Sequence, residues 1–136
     1  MALSRYCLDT SAYSRLKRGD ARVADLLDRA EWVGVPCVVL GELHAGFRGR
    51  SRQKQNEAEL EEFLEEPIVE QLPVDAEVAR IFLDIVAELR RRGTPLPSND
   101  IWVAATCARA GATLLSFDGH FRQVSRIGAL VLEEMD

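Results

Sequence analysis

The chain has 136 residues, 47% hydrophobic and 29% charged, the size and balance of one ordinary globular domain, so residues 1–136 are read as a single domain. Seventeen Lys+Arg against 22 Asp+Glu leave a net charge of -5, which excludes a protein that holds nucleic acid by bulk charge; any such chemistry must bring its own cations. No window approaches the ~18 consecutive apolar residues of a membrane span, and Asp9 comes too early for a secretory leader, so a cytoplasmic protein without membrane contact is expected.

Leu3 to Leu8 reads as a buried strand handing over at Asp9-Thr10-Ser11 to a helix N-terminus. Residues 20–31 carry Val23, Leu26 and Leu27 at helical spacing. Trp32 to Val35 is the second strand, and Pro36 opens a helix whose apolar residues, Val38, Val39, Leu40 and Leu43, run out at Gly46 and Gly49. Residues 51–66 form a helix with Leu60, Phe63 and Leu64 on one face and six glutamates on the other. Ile68 to Leu72 is the third strand. Val78, Phe82, Ile85 and Leu89 then mark a long helix closed by Arg90-Arg91-Arg92-Gly93. Ser98-Asn99-Asp100 is expected to cap a helix running to Gly111, Thr113 to Phe117 is the fourth strand, Asp118-Gly119 a turn, and Ala129 to Leu132 the last strand.

Short strands alternating with helices predict a three-layer α/β/α domain whose central sheet has four to five mainly parallel strands. Cys7, Cys37 and Cys107 are scattered and odd in number, so they are expected to be buried, reduced thiols rather than a disulfide framework or zinc site. Trp32 and Trp102 are assigned to the core.

In an open parallel sheet, ligands bind outside the carboxyl ends of the strands. Asp9 ends strand one, Asp118 follows strand four, Asp100 opens the helix leading into strand four, and Glu42 lies on the helix after strand two. Taken singly, Asp9 and Asp100 read equally well as helix caps, Asp118 reads first as a turn residue, and Glu42, with apolar neighbours on both sides, reads only second as a solvated acid. Jointly they place four carboxylates at one sheet edge, where mutual repulsion calls for a hard cation such as magnesium or manganese. One or two such ions beside a phosphodiester amount to nuclease chemistry. Thr10, Ser11, Asn99 and Ser116 sit where they can orient those acids. His120, beside Asp118, is read first as a solvated turn residue and second as a phosphate contact.

The successive segments Tyr6-Cys7-Leu8-Asp9-Thr10-Ser11, Gly41-Glu42-Leu43-His44-Ala45-Gly46, Asn99-Asp100-Ile101-Trp102-Val103-Ala104-Ala105 and Ser116-Phe117-Asp118-Gly119-His120-Phe121 resemble the motifs of PIN-domain ribonucleases, in the order and size of the VapC-type toxins of toxin-antitoxin modules. The resemblance implies a magnesium- or manganese-dependent endoribonuclease, a cognate antitoxin that covers the acidic site, and a homodimer. It makes Asp9, Glu42, Asp100 and Asp118 the catalytic and metal-binding acids, with Asp9 and Asp100 foremost as direct ligands. Ser116 stands where the family often has threonine, and Gly119-His120 replaces a commoner polar or acidic pair. Arg15, Lys17, Arg48, Arg50 and Arg52 are candidate RNA contacts that would position phosphates without reading sequence.

Three other readings compete. A PIN domain outside a toxin module, as maturation nuclease or inactive scaffold, keeps the same residues. A receiver-like phosphoacceptor domain would need an aspartate after strand three, where Gln71-Leu72-Pro73 stands, and a lysine after strand four. A haloacid-dehalogenase-like phosphatase would need a second aspartate where Ser11 stands.

Overall fold

The computed structural model describes residues 4–132. Five strands, β1 (Arg5–Leu8), β2 (Trp32–Pro36), β3 (Val69–Leu72), β4 (Thr113–Ser116) and β5 (Gly128–Val131), form one sheet in the order β3-β2-β1-β4-β5. Every neighbouring pair is parallel, as expected of short apolar strands separated by helices. The helices are α1 (Thr10–Lys17), α2 (Ala21–Asp28), α3 (Cys37–Phe47), α4 (Gln53–Leu64), α5 (Ala76–Arg92) and α6 (Ser98–Ala110), followed by a 3-10 turn over Gly119–Gln123. Strand one begins at Arg5; Leu3, expected at its start, lies outside the described residues.

Alternation along the central strands builds the three layers. Cys7 and Leu114, partners in register, join the larger core with Val78, Ile85 and Leu89 of α5 and Val103, Ala104 and Cys107 of α6. The next pair, Leu8 and Leu115, faces the opposite side and packs with Val33, Ala12 of α1 and Val23 of α2. Each such fully buried leucine contributes about 1.5–3 kcal/mol relative to exposure. The alanines of α6 let it lie close to the sheet, and Gly34 is confined in a similar way. A Cβ there would stand 2.4 Å from the Trp32 ring and 2.7 Å from Leu72.

Three of the six helices, α1, α2 and α5, have an aspartate as N-terminal cap. Asp20 accepts from the amides of Arg22 and Val23, and Asp75 accepts from that of Val78. Gly93, at φ 69°, closes α5 in the left-handed region that glycine adopts without strain. At α6 the expectation fails. The N-cap is Pro97, with no side-chain cap bond, and Ser98-Asn99-Asp100 form the first turn instead. A proline at that position leaves the Asp100 carboxylate uncommitted to the backbone.

Two further expectations need correction. Cys7 and Cys107 are buried, but Cys37 is exposed, because it is the first residue of α3 where the chain leaves the sheet; its thiol donates to the Leu72 carbonyl at 2.9 Å. A hydrogen bond with Cys7, followed by burial, pushes the Cys107 thiol well above its ordinary range. Trp32 and Trp102 are only partly buried and border the core rather than fill it. Trp102 stacks on Phe82 at 3.8 Å between centroids, and the Arg5 guanidinium covers Trp32 at 4.2 Å.

Candidate active site

From β1 the sheet extends through β2 to β3 on one side and through β4 to β5 on the other. The connections diverge at the carboxyl ends of β1 and β4, which opens a crevice there. Asp9 is the first residue beyond β1 and is 7% exposed. It is the N-cap of α1, its Oδ1 accepting from the Ala12 amide at 2.8 Å. Its own amide donates to the Leu115 carbonyl at 3.3 Å, which stitches the end of β1 to β4.

Two hydroxyls extend that stitch. Ser11 Oγ donates to Asp9 Oδ1 at 2.7 Å and accepts from the Phe117 amide at 2.9 Å. Ser116 Oγ, fully buried, donates to Asp9 Oδ2 and accepts from the Asp118 amide at 2.9 Å. Each serine therefore links Asp9 to the loop that carries Asp118. Thr10 Oγ1 donates to Glu42 Oε1 at 2.8 Å, and Asn99 Nδ2 reaches Glu42 Oε2 at 3.5 Å. The four polar residues singled out around the acids thus all touch one of them.

Asp100 projects from the first turn of α6 and Asp118 caps the 3-10 turn, where its Oδ1 accepts from the His120 amide at 2.9 Å. The His120 imidazole turns back on the same carboxylate, with Nδ1 3.2 Å from Asp118 Oδ1. Asp100, Asp118 and His120 bring one donor atom each within 4.8 Å of the others, a grouping that small side-chain rotations would close onto a single metal ion. Asp9 and Glu42 stand outside that grouping, but the charge of each reaches Asp100. Burial and then the charges of Asp118, Glu42 and Asp9 push the Asp100 carboxyl above its ordinary 3.8, while His120 opposes the rise. Burial, the largest influence, also raises Asp9, helped by Asp118; bonds from Ser116, the Ala12 amide and Ser11 hold it back. Four carboxylates in one crevice, two of them resisting ionisation, form a site that a cation would complete.

The basic candidates are less convergent. Arg15 covers the Phe117 ring, next to Asp118, at 5.1 Å, whereas Lys17 lies over Tyr13 and Phe63 at 5.7 and 5.9 Å, about 12 Å along α1 from Asp9. Arg48 caps the C-terminus of α3, about 9 Å along the axis from Glu42. Arg50 donates to the Gly46 carbonyl at 3.0 Å and Arg52 to Gln55 at 3.2 Å, both on the surface. Sequence reasoning gave His120 a minor place, and only the fold of the turn reveals its position. It passed over Tyr13 altogether: that ring is 2% exposed, and its hydroxyl has no hydrogen-bond partner.

An open five-stranded parallel sheet with acids gathered at the β1/β4 crevice is the architecture of the PIN domain. The PIN-domain family model matches residues 6–127, and the chain belongs to that family. Among its relatives, Ribonuclease VapC2 of Rickettsia felis is 27% identical over 135 residues, spanning 96% of this chain and 98% of the relative. Ribonuclease VapC4 of Mycobacterium tuberculosis is 28% identical over 102 residues, 75% of this chain and 78% of the relative. The crystal structure of VapBC2 from Rickettsia felis bound to a DNA fragment from its promoter superposes with a TM-score of 0.83 at 19% identity, covering 95% of this chain and 99% of that one. FitAcB from Neisseria gonorrhoeae gives a TM-score of 0.76 at 27% identity, covering 92% and 96%.

Proposed function

We propose that this protein is a metal-dependent endoribonuclease, the toxin of a toxin-antitoxin module, which hydrolyses RNA phosphodiester bonds at the β1/β4 crevice. The observation that carries the reading is that the charges of Asp118, Glu42 and Asp9, from three other segments, all act on the partly buried Asp100 carboxyl. The oxygen-rich donor set fits magnesium or manganese, and Asp100 and Asp118 offer carboxylate oxygens within 4.8 Å of each other to hold such an ion. One or two such ions, held by these acids, would supply water activation and charge stabilisation for an in-line displacement.

The chain's own residues hold and aim that chemistry. Asp9, Glu42, Asp100 and Asp118 are the metal-holding acids. Ser11 and Ser116 fix the Asp9 carboxylate, Thr10 and Asn99 fix Glu42, and the buried cap bond to Ala12 keeps Asp9 from turning outward. Arg15 flanks the crevice where a phosphate backbone would lie, with Lys17, Arg48, Arg50 and Arg52 as more distant contacts. Likeness to VapC ribonucleases and to VapBC complexes supports a cognate antitoxin as partner. A homodimer and a cytoplasmic location complete the reading. Among the described residues no helix is long and apolar enough to cross a membrane.

Incubating total cellular RNA with purified wild type and Asp100→Asn, each in magnesium or EDTA, tests this directly. Discrete fragments from wild type in magnesium alone are expected. Equal cleavage by the variant, or cleavage that survives EDTA, would overturn the metal assignment.

A further inference from the structure

We propose that His120 supplies an imidazole nitrogen to the metal, so that this acidic site selects a first-row transition ion such as Mn2+ over Mg2+. The inference rests on the ribonuclease reading above and names a ligand that carboxylates alone do not provide.

The placement is built into the backbone. Phe121, 2% exposed, anchors the 3-10 turn in the core, and its amide donates to the Asp118 carbonyl at 3.4 Å. Asp118 Oδ1 in turn holds the His120 amide at 2.9 Å, so the residue cannot move away from the acid that caps it. The imidazole turns toward the crevice, its Nδ1 3.2 Å from Asp118 Oδ1, although its side chain is 61% exposed. Its nitrogen and one oxygen each from Asp100 and Asp118 lie mutually within 4.8 Å, the one grouping of three or more such donors among the described residues.

The donor chemistry then sets the preference. Magnesium is hard, demands near-octahedral oxygen geometry and gives up water reluctantly. Imidazole suits later divalent ions, and carboxylates accept manganese, so a mixed nitrogen-oxygen set shifts affinity toward the transition metals. His44, the other histidine of the chain, packs its ring against Phe47 and stands 3.8 Å from Glu57 on the surface of α3. A nitrogen signal from the bound ion would thus have one source.

Mn2+ titrated into the metal-free chain, read by loss of the free-ion EPR signal and then by pulsed EPR of the bound ion, tests the assignment. Wild type and His44→Ala are expected to show imidazole nitrogen coupling, and His120→Ala to lose it. Mn2+ affinity of His120→Ala should fall at least about tenfold. Mg2+ affinity, read by competition, should change far less. Asp100→Asn separates the two levels of the argument. Mn2+ binding that Asp100→Asn weakens, but without nitrogen coupling in wild type, overturns the histidine ligand and leaves the nuclease reading standing. Binding of neither ion at a site sensitive to Asp100 overturns both.

Discussion

Helix α4 and the segment after it carry Glu57, Glu59, Glu61, Glu62, Glu65 and Glu66, more acids than the β1/β4 crevice, yet the two regions differ in kind. The glutamates of α4 come from one helix and stand mostly in solvent. Glu57 faces His44 at 3.8 Å and Glu59 faces Arg52 at 3.8 Å, exposed pairs that are worth little. The crevice draws its acids from four segments and partly buries Asp9 and Asp100, and the charge of Asp118 raises the cost of ionising both. Charge density marks an acidic surface; convergence with burial marks a cation site.

The contrast breaks most decisively on activity. Asp100→Asn or Asp9→Asn should lower the initial rate of RNA cleavage at least about a hundredfold, since metal-held acids supply several kcal/mol of transition-state stabilisation. Glu61→Gln on α4 should leave that rate unchanged. A comparable loss in Glu61→Gln would erase the distinction.

Stability without metal should move the other way. A carboxyl raised above 3.8 in the folded state is still protonated when its unfolded counterpart has ionised. Its favourable contribution is whole below that pH and is lost as pH climbs through the raised value. At neutral pH the ionised Asp100 therefore destabilises the metal-free fold, and Asp100→Asn should melt a few degrees higher in EDTA. Magnesium or manganese should raise the wild-type melting temperature and barely move the variant. A variant that melts lower in EDTA would mean that Asp100 is held by unseen favourable partners. Glu61→Gln should show neither effect.

Ser116→Ala probes the stitch between Asp9 and Asp118. Losing the hydroxyl removes a donor from Asp9 and an acceptor from the Asp118 amide, so the Asp9 carboxyl should rise further. Cleavage should fall about tenfold, and the acid side of its pH profile should shift upward, as expected when a bond to the charged form is lost. An unchanged profile would show that Ser116 acts only in packing.

The smallest effect belongs to Tyr13, which lies between the two regions. Burial first, and Glu59 of α4 second, push its hydroxyl from 10.0 up to about 12. In the unfolded chain the phenol ionises from 10.0, so stability should drop between that pH and about 12 as the unfolded state loses protons first. Tyr13→Phe should flatten this alkaline limb. Removing the unpartnered hydroxyl should also stabilise the neutral protein by about 1 kcal/mol, measurable by urea titration. Destabilisation on that scale would reveal a hydrogen bond that the buried hydroxyl makes in solution.

Much of this was legible in the chain before folding. Runs such as Tyr6-Cys7-Leu8 and Thr113-Leu114-Leu115, broken by amphipathic helices, specify strand and helix through hydrophobic period alone, and parallel alternation leaves few topologies. The positions of Asp9 and Asp118 after strand ends, of Asp100 at a helix start and of Glu42 within the helix after strand two could be read from the same pattern. Local periodicity carries no information on which ends meet, or on how much water is left when they do. Only the tertiary structure decided that Pro97 rather than Ser98 caps α6, that Ser11 and Ser116 grip Asp9 from across the sheet, that Cys37 stays exposed, and that His120 turns back on Asp118. Each of those outcomes depends on residues far apart in sequence or on the turn of a loop, where burial and hydrogen-bond geometry, rather than residue type, set the chemistry.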